Sequence, residues 1–149
     1  MTQIRTELSK NSPLYIDKYA FRTAYYFALQ YPSWKQQYAE AIGQAIKAVD
    51  YDDMPHGTST GDPTPRIAMR SSILRSNIDL IERTALIAGR DLAEYILYAV
   101  THEGTTYNYL RGERCQIGRI PCGRNQYYQM RRLFYYLLSQ SLEEMNSKG

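Results

Sequence analysis

Six arginines stand between Gly104 and Arg132, at positions 111, 114, 119, 124, 131 and 132, against one acid in that span, Glu113. A guanidinium keeps its charge at any physiological pH and offers a planar fork of donors, which suits phosphate oxygens and the edge of guanine. Asn125 and Gln129 lie in the same stretch and carry the side-chain amide that bonds adenine through paired contacts. Arg124, Asn125 and Gln129 are therefore the candidate base readers. Arg111, Arg114, Arg119, Arg131 and Arg132 suit phosphate contacts, which give affinity without sequence information. Tyr128 belongs to the same cluster, and a tyrosine hydroxyl can also meet phosphate. A solvated arginine face is the plainer reading of the same residues.

A second set of chemistry-bearing residues, Asp52, Asp53, His56 and Asp62, could form a metal or catalytic loop. They lack the fixed spacing of a calcium-binding EF-hand loop, and no His-Glu-x-x-His pair is present, so an acidic connector is the better reading. No Gly-rich phosphate loop, nucleophile elbow or Cys-His pairing is present. Cys115 and Cys122 are read as two reduced thiols, and the two histidines, His56 and His102, show no zinc-ligand spacing. No cofactor, no metal and no enzymatic activity are expected.

The elements that must carry these residues read as helices. Ser12-Pro13 looks like a helix start, and the helix must stop near Tyr31-Pro32. Ser33 and Gln36 then form a capping box that opens a second helix, with Trp34 as a core anchor and an apolar stripe through Ala41, Ile42, Ala45 and Ile46. Turn chemistry occupies Asp50 to Pro65. A long helix follows from Thr64 to Ala88, with Gly89 placed to end it. Asp91 to Glu94 reads as another capping box, opening a helix to His102 that Gly104 terminates. A short helix starts at Thr105 or Thr106 and runs to Gly112. After a connector containing Gly118 and Pro121, the last helix opens near Gly123 and runs through Gln140 or further. Its core stripe is Tyr127, Met130, Phe134, Leu137 and Leu138. Gln116 to Ile120 is the one stretch compatible with an extended run.

The 149 residues suit one ordinary domain, and 44% of them are apolar or aromatic, enough to bury a core. No run approaches the roughly 20 apolar residues that span a bilayer, and the N-terminus has no apolar signal region, so the chain is expected in the cytoplasm with no membrane partner. Net charge is only +3, but eleven of the thirteen arginines lie between Arg66 and Arg132, whereas Asp50 to Asp62 holds four aspartates and no basic residue. Fifteen tyrosines against three phenylalanines suit half-buried positions and interfaces.

The order of short motifs resembles a known family. Tyr31-Pro32-Ser33-Trp34-Lys35, Met54-Pro55-His56-Gly57-Thr58 with Asp62-Pro63-Thr64, and Ile78-Asp79-Leu80-Ile81-Glu82 are followed by Ala99-Val100-Thr101, Thr106-Tyr107-Asn108-Tyr109-Leu110, Ile120-Pro121-Cys122-Gly123-Arg124 and Arg131-Arg132-Leu133-Phe134-Tyr135. Over residues 31 to 138 this resembles the RinA/ArpU-type transcriptional regulators of phages and mobile elements of Gram-positive bacteria. Their C-terminal helix-turn-helix is similar to region 4 of sigma factors. The resemblance implies a recognition helix at Gly123 to Leu138 and its partner near Thr106 to Leu110. The connector from Gly112 to Pro121 departs from it, being longer than the turn of about 3 or 4 residues in a compact helix-turn-helix. Either it forms a basic wing, or the preceding helix extends past Gly112.

The expectation is an all-α, multi-helix bundle with a C-terminal helix-turn-helix. Residues 1–62 would hold an N-terminal helical region and the acidic linker, and 63–149 the long helix and the DNA-binding region. The expected function is transcription regulation at the nucleoid of a bacterial host. Its partners would be double-stranded DNA, with RNA polymerase and a second copy of the chain as further candidates, since a homodimer would match palindromic sites. The alternative is a protein-interaction module that binds a host factor, RNA polymerase or a defence complex, without reading DNA.

Overall fold

The computed structural model describes residues 12–52 and 64–148. Every regular element among them is helical: α1 (Lys18–Leu29), α2 (Tyr31–Asp52), α3 (Thr64–Gly89), α4 (Ala93–Thr101), α5 (Tyr107–Leu110) and α6 (Arg124–Lys148), with a 3-10 turn at Arg90–Leu92. The all-α expectation therefore holds for the described residues. Gln116 to Ile120 joins no sheet; Ile120 instead donates its N–H to the Leu110 carbonyl at 2.9 Å. Asp53, His56 and Asp62 lie outside the described residues, and Asp52 is the last residue of α2 rather than part of a loop. No helix among the described residues is long and apolar enough to cross a membrane.

Contacts divide the chain into two compact units, one of residues 1–30 with 80–149 and one of residues 31–79. The expected boundary at 62/63 falls outside the described residues, and α1 groups with α6, not with its neighbour α2.

In the larger unit, α1 packs on α6 and α4, and α4 packs on α6. The α1 stripe is Phe21, Ala24, Tyr25 and Ala28, spaced at three and four residues and buried. Phe21 and Tyr25 meet Tyr135 on α6, with the Phe21 and Tyr135 ring centroids 4.9 Å apart, and Phe134 and Leu138 are buried on the same helix. Ile96 and Val100 on α4 close the core. Burying each of these large side chains contributes about 1.5–3 kcal/mol.

The N-terminus of α1 is set by Asp17, whose Oδ1 accepts the Tyr19 N–H at 2.7 Å. Ser12-Pro13 does not start this helix. Ser12 Oγ accepts the Leu14 N–H at 3.1 Å and its carbonyl accepts the Tyr15 N–H at 3.1 Å, a local turn that uses the groups a cap would need.

In the smaller unit, α2 starts at Tyr31, two residues before the expected cap at Ser33. Pro32 sits in its first turn, where a missing N–H leaves no bond unmade. Ser33 is consequently inside the helix. Its Oγ accepts from Gln37 at 2.9 Å, while Gln36 turns to Glu40, so no capping box forms. Trp34 is half-buried. Arg70 on α3 donates to Gln37 at 3.4 Å, and the Arg75 guanidinium lies 5.7 Å from the centre of the Tyr38 ring and pairs with Asp79 at 3.1 Å.

The α3–α4 corner also differs from its local pattern. Asp91 gives no side-chain cap; Leu92 occupies the cap of α4 without a side-chain bond. Gly89 ends α3 as expected but with φ −101 and ψ −22, on the right-handed side of the map. The left-handed residue is Arg90, at φ +53. Gly89 matters for packing, because a Cβ there would stand 3.1 Å from Ile96 Cγ1.

Candidate nucleic-acid interface

Three tyrosines build the framework for the candidate residues. Thr106 caps α5 by accepting the Tyr109 N–H at 3.2 Å, as its sequence position implies. The connector, residues 111–123, is irregular, so its carbonyls need donors from elsewhere. Tyr95 Oη reaches from α4 to the carbonyls of Ile117 (3.3 Å) and Arg119 (3.0 Å). Tyr109 Oη donates to the Arg114 carbonyl at 3.4 Å and lies 3.3 Å from Tyr98 Oη. Tyr107 Oη donates to the Cys122 carbonyl at 2.6 Å. Gly118, at φ +90, makes the turn that closes onto Cys115 through a 3.2 Å backbone bond.

The bond with Tyr109 is the main cause that raises the Tyr98 pKa above the usual tyrosine value. Burial raises that of Cys122, so this residue is a thiol rather than a thiolate at neutral pH. Both cysteines are free, and no group of three or more potential metal ligands occurs among the described residues.

The predicted site residues fall into three groups on this frame. Arg111, Arg114, Asn125 and Gln129 are exposed: Arg111 at the C-cap of α5, Arg114 on the connector, and the two amides on α6. Asn125, Gln129 and Arg132 follow one another at four and three residues, hence on one helical face, largely opposite the core stripe.

Arg119 and Arg124 are exposed but engaged. Arg119 pairs with Glu113 at 2.9 Å, with both side chains well exposed, an arrangement worth no more than about 1 kcal/mol. Arg124 opens α6, donates to Asn108 Oδ1 at 2.9 Å and lies 5.3 Å from the centre of the Tyr107 ring.

Arg131 and, in part, Tyr128 and Arg132 turn inward. Arg131 is only 9% exposed and lies 5.7 Å from the centre of the Tyr135 ring, so it does not belong to an exposed phosphate-binding set. The cause is the width of the buried face: α1 covers Tyr135 beside the buried Phe134, and position 131 is one turn before 135. Tyr128 is half-buried, edge-on to Tyr127 at 4.8 Å. Arg132 is half-buried, with its Nε enclosed.

Sequence reasoning missed Asn108 and the three connector-holding tyrosines. The surplus of tyrosine over phenylalanine was the available signal, since only tyrosine brings a donor to a loop carbonyl. No local pattern pointed to Asn108, which meets Arg124 sixteen positions away.

The chain matches no family model, no curated protein and no solved structure.

Proposed function

We propose that the chain is a sequence-specific DNA-binding regulator of transcription, of the kind the RinA/ArpU resemblance implies for a phage or mobile element. The observation that carries this reading is the exposed set Arg111, Arg114, Asn125 and Gln129 on α5, the connector and the start of α6, whose opposite face belongs to the core. Cations in that set supply phosphate affinity and amides supply base readout. In this reading α6 lies in the major groove and α4–α5 support it, as in a helix-turn-helix with a widened turn. Because α5 ends at Leu110, the extra length is a basic connector and not a longer helix. Cytoplasmic location near the nucleoid and a second copy on a palindrome belong to the same proposal.

Selection from a random duplex pool, followed by fluorescence anisotropy on the enriched site, tests it. Affinity should fall steeply with salt. Asn125→Ala should lose about 1–3 kcal/mol of discrimination, whereas Arg114→Ala should weaken all sequences alike. No enrichment, or binding indifferent to salt and to both changes, removes the reading.

One observation favours the alternative of a protein-binding module: Tyr19 and Tyr26 on α1 are 64% and 53% exposed, and tyrosine is enriched at interaction hot spots. Loss of a host partner on Tyr19→Ala, with DNA binding absent, would support that reading.

A further inference from the structure

We propose that the larger unit also carries a small-molecule site, an open groove of about 770 Å³ between the Ser12–Leu14 turn, the α3–α4 corner and α6. Its occupant is an amphipathic organic anion, with the charged group held by Arg132 and Arg90 and the apolar body against Leu14, Ile87 and Leu133. The volume lies in the range of ordinary ligand sites, and an apolar wall with a few polar anchors is the lining such sites use.

Two features of the groove carry a cost within the chain itself. Arg132 Nε is buried with no hydrogen-bond partner. Neither Arg132 nor Arg90 forms an ion pair among the described residues. A buried donor left unmet is unfavourable, and the half-exposed guanidinium would gain a counter-charge from an anion in the groove. Arg90 holds the left-handed φ of +53, although its neighbour Gly89 would have taken that conformation with less strain. The strained backbone puts a cationic side chain on the groove wall. Against these two cations the lining has a single carboxylate, Asp91, so its formal charge favours an anion. This inference does not depend on DNA binding.

The test is a titration of the full chain with 1-anilinonaphthalene-8-sulfonate, an apolar fluorescent anion, followed by competition with octanoate, octyl phosphate and octanol. One saturable site per chain is expected, with both anions displacing the probe at least tenfold better than octanol. The tighter of the two anions assigns a carboxylate or a phosphate ester. Arg132→Met should weaken probe binding at least fivefold. Arg90→Gly should weaken it too while leaving the Tm unchanged or higher, because glycine relaxes that backbone; loss of binding therefore cannot be put down to unfolding. Octanol competing as well as the anions, or unaltered affinity in both folded variants, would overturn the proposal.

Discussion

The connector and the last helix bear the same kind of residue and are held by opposite means. The helix α6 is positioned by buried side chains, Tyr127, Phe134, Tyr135 and Leu138, and packs on α1 and α4. The connector is positioned by hydroxyls, from Tyr95, Tyr107 and Tyr109, each ending on a loop carbonyl. Apolar packing is non-directional, so it spreads and takes in whatever flanks the stripe, including Arg131. Hydrogen bonds are directional and local, so the connector arginines stay outside while their backbones are fixed. The same side chain thus becomes interior on one element and surface on the other.

Phe134→Ala should break the helical side of this contrast, lowering the unfolding free energy by about 3–5 kcal/mol in denaturant titration, since it empties a fully buried ring site. Loss below 1 kcal/mol would mean that α6 is not anchored through its rings. Tyr107→Phe should cost less, about 1–2 kcal/mol, because the Cys122 carbonyl loses its donor. Hydrogen exchange should rise locally around residues 111–123 and at the start of α6, more than at Phe21 or Ile96. Tyr95→Phe should act in the same direction and more weakly, about 1 kcal/mol, its bonds being longer. The smallest effect belongs to Glu113→Gln, which should leave the Tm within a degree and, under the proposed DNA-binding function, raise DNA affinity a few-fold by releasing Arg119 from its pair.

Long apolar periodicities were legible in advance. The bounds of α3, the start of α6 and the Thr106 cap follow from residues close in sequence. Three other local signals misled for one physical reason: each pattern is compatible with two conformations. A serine before a proline serves a turn as well as a helix start, Ser33 and Gln36 three apart suit a helix interior as well as its cap, and Asp91 followed by Glu94 forms no cap when a 3-10 turn intervenes. The burial of Arg131 was beyond local reading because it depends on α1, about a hundred residues away. The exposed candidates fared better, as polarity on the far side of a core stripe is a local property.

The pairing of α1 with α6 also orders events during synthesis. Phe21 and Tyr25 are synthesised about a hundred residues before Tyr135, whose ring packs against both. Until then only α4 covers that helix among its native partners, and closing so wide a sequence gap is entropically slow. The larger unit must therefore complete its core after translation of α6, and the nascent chain before that point is the form most exposed to chaperones and to aggregation.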